Sequence, residues 1–353
     1  MTKRVRVLVV DDSALVRDIL VTGLSKDPGI EVVGSASDPY MARDRIGQLK
    51  PEVLTLDVEM PRMDGVEFLR KLMPQYPLPV VMVSALTERS AKTTLDALDA
   101  GAVDFVTKPK ADVARGLESM MVELRTKVKI ASTIDVSKWK NGAAERRNPV
   151  SSVEKGTLAT STDKVIVIGA STGGTEAIRE VITKFPRTTP GVVITQHMPA
   201  GFTKMFSERL NQLCEMEVKE AANGDRILQG RILISPGGLQ TRIVRSGGTY
   251  MVDVHPGELV CGHCPSVEVL MQSAAKHVGA NAVAAMLTGM GGDGAMGMKA
   301  MRDAGARTLA QDEASCVVFG MPKVAWEKGG VERLVPLRDI ASGILSLVRE
   351  MSR

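Results

Sequence analysis

The chain has 353 residues, which exceeds one ordinary domain of about 100–200 residues and suits two. A content of 44% hydrophobic and 24% charged residues with 33 glycines is typical of a folded globular protein and argues against disorder. The 45 Lys and Arg against 41 Asp and Glu leave a formal charge of only +4, so the balance gives no sign of a nucleic-acid partner.

The cysteines and the N-terminus indicate where the protein works. The four cysteines are too few and too unevenly spaced for a secreted disulfide framework: Cys214, Cys261, Cys264 and Cys316. The apolar run at residues 7–10 ends at Asp11, so it is too short for a signal peptide or a membrane span. We therefore expect a cytoplasmic protein without membrane insertion.

Over about residues 1–130, short β-branched runs alternate with amphipathic stretches. The runs include VRVLVV, EVVGSA, EVLTLD, PVVMVSA and VDFVTK. In the first amphipathic stretch, apolar residues recur three and four positions apart: Leu15, Val16, Ile19, Leu20 and Leu24. The alternation predicts a (βα)5 domain of flavodoxin-like α/β type, with a parallel sheet covered on both faces.

Residues 131–162 lack periodicity and are rich in Ser, Thr, Lys, Arg, Asn and Gly, which predicts a linker. Within it, Trp139 could dock either a partner or another domain. From residue 163 to 353 the alternation resumes, with strand-like runs KVIVIGA, PGVVITQ, NAVAAMLTG and RTLAQ. Helical stretches follow them, and several short strands lie between, so we expect a doubly wound, mainly parallel α/β domain.

Charged and hydroxyl residues follow the strands of the N-terminal domain. Asp11 and Asp12 follow the first strand, Asp57 ends the third, Ser84 ends the fourth, and Lys108 follows the fifth. The carboxyl ends of parallel strands share one rim, where such sheets bind ligands. Carboxylates gathered there repel one another unless a hard cation such as Mg²⁺ lies among them.

Asp57 is the best nucleophile candidate of this rim, because a carboxylate can accept a phosphoryl group and become an aspartyl-phosphate. Lys108 would neutralise phosphate charge and Ser84 could donate its hydroxyl to a phosphate oxygen. Taken one at a time, Asp11, Asp12 and Asp57 fit strand-end caps better, and Lys108 fits a solvated charge better. The combination of five suitable types on one rim favours the phosphorylation site.

The motifs VLVVDDS, LTLDVEMPRMDG, VVMVSA and FVTKP resemble the receiver domain of two-component response regulators over about residues 3–125. The resemblance implies phosphorylation of Asp57 by a histidine kinase. It also implies further roles: Mg²⁺ binding by Asp11 and Asp12 and by the backbone of Glu59, a hydroxyl switch at Ser84, an aromatic switch at Phe105, and phosphate sensing by Lys108.

The segment VIVIGASTGGTEAI reads as a strand, a glycine-rich turn and a helix. A dinucleotide fingerprint would need glycine at position 171, which is Ser171, and a P-loop would need lysine at position 175, which is Thr175. Residues 169–173 do fit Gly-x-Ser-x-Gly, a turn that exposes a nucleophilic serine beside free helix amides. Ser171 could also be no more than a helix cap.

His197 directly follows the next long strand, and Asp293 lies in a glycine-rich loop after the strand NAVAAMLTG. On one rim they would complete a triad in which Ser171 attacks, His197 carries the proton and Asp293 orients the imidazole. His197 could instead be a structural histidine, and Asp293 a helix cap. Glycines 289, 291, 292 and 294 suit a loop whose amides bind an oxyanion.

The motifs GASTGG, ITQHMP, SPGG, PSVEVL and LTGMGGDGAMGM resemble the catalytic domain of chemotaxis protein-glutamate methylesterases, the CheB family, over about residues 163–350. The resemblance implies the triad Ser171, His197 and Asp293, with Thr172 adjoining it and the Met290 amide as oxyanion donor. It implies hydrolysis of glutamate methyl esters on methyl-accepting chemoreceptors, glutamine deamidation, and activation by a chemotaxis histidine kinase. Mg²⁺ would serve the receiver only, and the esterase would need no cofactor.

Two segments depart from that family. Cys261-Gly262-His263-Cys264 offers thiols and an imidazole, with His255 nearby, although a zinc site would need further ligands. Gln240 stands where many relatives carry histidine. Two alternatives also stay open: a non-catalytic response regulator whose second domain binds a ligand, and a binding scaffold in which one triad residue is displaced.

Overall fold

The computed structural model describes residues 3–85, 87–109, 113–134, 136 and 163–351. The chain divides into two compact units, Met1–Val150 and Ser151–Arg353. Trp139 and the remainder of the predicted linker from residue 137 to 162 lie outside the described residues.

The first unit is a five-stranded parallel sheet of strand order β2-β1-β3-β4-β5. Its strands are β1 (Val5–Val10), β2 (Ile30–Ala36), β3 (Val53–Asp57), β4 (Val80–Ser84) and β5 (Asp104–Thr107). Its helices are α1 (Ala14–Ser25), α2 (Pro39–Leu49), α3 (Gly65–Gln75), α4 (Glu88–Asp99) and α5 (Val113–Ala131). This is the predicted flavodoxin-like α/β fold.

The continuous apolar strands of this unit form its core. The residues of β3 and β4 are all buried, as expected for central strands covered on both faces. Helix α1 starts at the cap Ser13 and buries Leu20 and Leu24, but Leu15 is 71% exposed. The apolar repeat of α1 is therefore buried only toward the end of the helix.

The second unit contains a seven-stranded sheet of order β14-β13-β12-β6-β7-β9-β8, and all neighbouring strands pair in parallel. Its strands are β6 (Val165–Ala170), β7 (Gly191–Gln196), β8 (Glu217–Glu220), β9 (Arg231–Ile234), β12 (Ala282–Met286), β13 (Arg307–Gln311) and β14 (Arg333–Val335). A separate antiparallel hairpin consists of β10 (Gln240–Ser246) and β11 (Thr249–His255). The predicted mainly parallel α/β class is confirmed.

Six α-helices accompany these strands in the described part of the second unit: α6 (Gly174–Ile182), α7 (Phe202–Asn211), α8 (Val267–His277), α9 (Ala295–Asp303), α10 (Met321–Glu327) and α11 (Leu337–Glu350). The sequence pattern did not predict α10 and β14, which are short. Among the described residues, no helix is both long enough and apolar enough to cross a membrane.

In the sheet of the second unit, the chain adds strands first on one side of β6 and then on the other. Beyond β6 the chain adds β7, β9 and β8 on one side, and β12, β13 and β14 on the other. In an open parallel sheet, such a switch point leaves a crevice at the carboxyl ends of the strands. The loops that follow β6, β7 and β12 therefore meet at one place.

Candidate functional site

An acidic cluster lies at the carboxyl rim of the first unit. One carboxylate oxygen from each of Asp11, Asp12 and Asp57 lies within 4.8 Å of the others. Asp11 is fully buried and Asp57 is buried, whereas Asp12 is exposed. Lys108 Nζ lies 2.9 Å from Asp11 Oδ2 and 3.0 Å from Asp57 Oδ2, so the lysine bridges the two buried carboxylates.

Burial raises the pKa of Asp57 to about 6; the Lys108 charge opposes this, and the charges of Asp11 and Asp12 add to it. For Lys108, burial alone would lower the pKa, but Asp57 and Asp11 outweigh it and the pKa is raised. Three oxygen donors within reach of one another, with a buried carboxylate whose charge is disfavoured, fit a hard divalent cation such as Mg²⁺.

The other residues predicted for this rim have definite positions. Ser84 is fully buried, and its hydroxyl accepts a 2.7 Å hydrogen bond from Thr94 Oγ1 in α4. Phe105 is buried on β5, with Lys127 Nζ 5.5 Å from its ring centroid. Glu59 follows β3, and its carboxylate accepts a 2.6 Å hydrogen bond from Ser90 Oγ. Helix α4 thus contacts both the serine of the rim and the loop after Asp57.

In the second unit, the loops after β6, β7 and β12 bring together Ser171, His197 and Asp293. His197 Nδ1 lies 3.1 Å from Ser171 Oγ, and His197 Nε2 lies 2.7 Å from Asp293 Oδ2. The ring thus presents Nδ1 to the serine, the reverse of the familiar arrangement in which Nε2 faces the nucleophile. With the proton on Nε2, the imidazole donates to Asp293 and its free Nδ1 can accept the serine proton.

Asp293 is buried at the N-terminus of α8, where several donors surround its carboxylate. Oδ1 accepts from Ser266 Oγ at 2.8 Å and from the Glu268 amide at 3.0 Å, and Oδ2 accepts from the Val267 amide at 2.7 Å. Burial would raise the pKa of Asp293, but the hydrogen bonds and the charge of His197 outweigh it, and the pKa is lowered. The carboxylate therefore stays ionised beside His197.

Several hydrogen bonds hold the turn that carries Ser171. The Ser171 amide donates to the Thr288 carbonyl at 3.0 Å, and the Ser171 carbonyl accepts from the Gly174 amide at 2.7 Å and from Gln196 Nε2 at 2.9 Å. Gly173 has φ +76°, and a methyl group there would lie 2.6 Å from Val317, so both conformation and space require glycine. These contacts direct the serine hydroxyl toward His197.

The glycine loop after β12 packs against Ser171. A methyl group on Gly289 would lie 2.8 Å from Ser171 Cβ. The Gly289 carbonyl accepts from the Met321 amide at 2.8 Å, and because C=O and N–H of a trans peptide point in opposite directions, the Met290 amide points away from α10. Thr172 is buried beside the nucleophile, and its carbonyl accepts from Thr288 Oγ1 at 3.0 Å.

The segment from Cys261 to Cys264 also reaches this site. The ring of His263 stacks on that of His197, with centroids 3.6 Å apart and planes inclined by 12°. Burial, together with the negative charges of Asp293 and Glu268, raises the pKa of the Cys261 thiol. A zinc site finds no support, because in the described ranges the one group spaced for a metal ion is the acidic cluster of the first unit.

The sequence pattern assigns no role in this site to Gln196, Ser266 and Thr288. It suggests His263 only as part of a possible zinc site. A weak signal existed for Ser266, because a serine directly before an apolar helical run is a common N-cap. Gln196 directly precedes His197 in the chain, but nothing in the sequence shows that its amide binds the Ser171 carbonyl.

Comparison with known proteins gives two family matches. The sequence model of the CheB methylesterase family matches residues 166–344, and that of the response regulator receiver domain matches residues 7–116. A crystal structure of the Thermotoga maritima CheB methylesterase catalytic domain, 33% identical, aligns with a TM-score of 0.52 over 53% of this chain and 100% of that one.

Two curated relatives match nearly the whole chain. A protein of Syntrophotalea carbinolica, named protein-glutamate methylesterase/protein-glutamine glutaminase, is 67% identical over 99% of both chains. A protein of the same name from Sulfurimonas denitrificans is 52% identical over 98% of this chain and 99% of its own. The matches therefore include both compact units.

Proposed function

Because this chain belongs to the CheB methylesterase family and carries a response regulator receiver domain, we propose that it is a phosphorylation-activated protein-glutamate methylesterase of chemotaxis. Its substrates are glutamate methyl esters on chemoreceptors, which it hydrolyses with release of methanol, and receptor glutamines, which it deamidates. The observation that carries the proposal is the hydrogen-bonded series Ser171, His197, Asp293 at the switch point of the sheet.

In the first half of the reaction, Ser171 Oγ attacks the ester carbonyl while His197 Nδ1 accepts its proton. The imidazolium that forms is stabilised by the ionised Asp293 through the 2.7 Å hydrogen bond at Nε2. The Met290 amide binds the developing oxyanion. His197 then returns the proton to the departing methoxide, which leaves as methanol, or, when the substrate is glutamine, to the departing amide nitrogen, which leaves as ammonia.

In the second half, water attacks the acyl-enzyme and His197 Nδ1 accepts a proton from it. The tetrahedral intermediate again places its oxyanion at the Met290 amide. Collapse of the intermediate releases the glutamate side chain, and Ser171 recovers its proton from His197. The same three residues thus serve both halves of the reaction.

The receiver domain supplies the control of this activity. Asp57 accepts a phosphoryl group from a chemotaxis histidine kinase, and Lys108 neutralises phosphate charge. Asp11, Asp12 and Asp57 with the Glu59 backbone would hold Mg²⁺, which when bound supplies positive charge for phosphoryl transfer. Ser84 and Phe105 respond to the phosphoryl group as a switch, and the hydrogen bond between Thr94 and Ser84 connects that switch to α4.

The test is methanol release from methylated chemoreceptor membranes by the full-length wild type, Ser171→Ala and Asp57→Ala, each with and without acetyl phosphate and Mg²⁺. Ser171→Ala should lose activity under both conditions, and Asp57→Ala should keep the basal rate but lose stimulation. Ser246→Ala, at an exposed serine of β10, should behave as wild type. Methanol release by Ser171→Ala would refute the proposed nucleophile.

A further inference from the structure

One face of the catalytic imidazole is covered by a second histidine. The His263 ring lies parallel to that of His197 at 3.6 Å, a distance at which the two rings are in van der Waals contact. The His197 side chain is only 7% exposed. Solvent therefore has little access to the ring, and His263 accounts for one of its two faces.

The backbone holds His263 at this position. Val260 and His263 exchange two hydrogen bonds, from each amide to the opposite carbonyl at 3.0 Å. Between them, Cys261 has φ +53° and Gly262 has φ +83°, the left-handed pair that closes a tight two-residue hairpin turn. His263 is thus the residue directly after a closed two-residue turn.

Gln240 anchors that turn to the body of the second unit. Gln240 is 2% exposed, and its Nε2 donates to the Glu258 carbonyl at 2.9 Å and to the His263 carbonyl at 3.2 Å. Oε1 accepts from the Ser266 amide at 2.9 Å. Gln240 is the first residue of β10, so its buried side-chain amide links both sides of the turn to that strand.

The two hydrogen bonds of His197 leave one motion of its ring unrestrained. Bonds at Nδ1 and Nε2 fix the line from Ser171 to Asp293, but the ring can still tilt about that line. A tilt moves the Nδ1 lone pair out of alignment with the serine hydroxyl, and small misplacements of reacting groups lower rates strongly. A parallel ring in contact with one face opposes the tilt.

We propose that His263 is a positioning residue of the esterase, which fixes the plane of the His197 ring by stacking on it and is itself held by Gln240. The inference rests on the proposed function, because it assumes that His197 is the proton carrier. The stacking surface of His263, and not a proton on it, is what the reaction requires.

The test compares His263→Ala and His263→Phe with wild type in methanol release from methylated receptor membranes by the full-length protein. His263→Ala should lower kcat by about 10- to 100-fold with KM within about twofold, because alignment is lost while binding remains. His263→Phe, which keeps a flat ring, should retain kcat within about threefold. The control His277→Ala, at a histidine in the last turn of α8, should match wild type.

Wild-type kcat in His263→Ala would overturn the inference, as would a loss in His263→Phe equal to that in His263→Ala. Melting temperatures show whether either variant is unfolded, and the intact KM of a folded variant separates misalignment from lost binding. Wild type and Ser171→Ala, assayed in parallel, distinguish the two proposals. No methanol release by the wild type would refute the proposed function, whereas an active wild type and an inactive Ser171→Ala beside a fully active His263→Ala would refute only the role of His263.

Gln240→Met tests the anchor, because Gln240 can affect alignment through His263 or through Ser266. Gln240→Met should lower kcat, and the double variant with His263→Ala should be no slower than His263→Ala alone. A double variant whose losses multiply would show that Gln240 acts independently of His263, contrary to the proposed anchoring.

Discussion

Each of the two sites contains an aspartate at the carboxyl rim of a parallel sheet, but the pKa values of the two carboxylates are shifted in opposite directions. Asp57 is 5% exposed and Asp293 is 2% exposed, so water reaches neither of them well. Burial raises the pKa of Asp57 to about 6, whereas the pKa of Asp293 is lowered despite burial. Burial alone therefore does not decide the charge state of an aspartate.

The difference comes from the neighbours. Asp293 accepts hydrogen bonds from a hydroxyl and two helix amides and faces the imidazole of His197. Asp57 has Lys108 as its partner but shares the pocket with the carboxylates of Asp11 and Asp12. Hydrogen-bond donors stabilise the ionised carboxylate at the esterase site, whereas the acidic cluster leaves negative charge that a cation would have to compensate.

Among the substitutions that test this contrast, Asp293→Asn should have the largest effect. The change removes the negative charge that stabilises the His197 imidazolium and permits the wrong ring tautomer. We expect kcat for methanol release to fall by about 10³- to 10⁴-fold. A loss below about tenfold, in a variant that melts like wild type, would contradict an ionised Asp293.

Replacing Asp57 by asparagine should stabilise the receiver in a pH-dependent way. The folded pKa lies above the ordinary value, so the folded state holds its proton more tightly than the unfolded state. The ionised Asp57 carboxylate therefore lowers the free energy of unfolding. This destabilisation is fully present above about pH 6 and declines as the pH falls toward 3.8.

Asp57→Asn should therefore raise the unfolding free energy by about 1–3 kcal/mol at pH 8 and by about half as much at pH 5. Urea unfolding of the full-length protein in EDTA, followed by circular dichroism, measures the change. Asp18→Asn, at an exposed aspartate of α1, is the control and should change little. A gain that grows toward acidic pH would have the wrong sign for a raised pKa.

Ser266→Ala should have the smallest effect, because it removes one of several donors to Asp293. We expect kcat to fall about threefold to tenfold, the equivalent of one hydrogen bond, and stability to fall by about 1 kcal/mol through loss of the α8 cap. Ser13→Ala removes the corresponding cap of α1 and should lower stability without changing the basal esterase rate. Equal basal rates in the two variants would mean that Ser266 serves only as a cap.

Much of the architecture follows from local patterns in the sequence. The β-branched runs mark the buried strands, and the rule that ligands gather at their carboxyl ends selects Asp11, Asp57 and Lys108 in one unit. The same rule selects Ser171, His197 and Asp293 in the other unit, and the structure places them within hydrogen-bonding distance.

Other features depend on contacts between distant segments and have no local pattern. The stack of His263 on His197 requires the turn that Gln240 anchors, and the apolar repeat of α1 cannot show that Leu15 faces solvent. Sequence order also does not reveal that β9 lies between β7 and β8. The presentation of His197 Nδ1 to Ser171 is likewise a result of the three-dimensional path of the loops.

The central position of β6 has a consequence for synthesis of the protein. The strands of the receiver all precede residue 108, so that domain can fold while the remainder of the chain is still being translated. Strand β6 emerges early in the second unit, but one of its edges stays unpaired until β12 leaves the ribosome. The loop after β12 also carries Asp293. Ser171 is therefore the first triad residue to be translated, and the triad is complete only after Asp293 has been added.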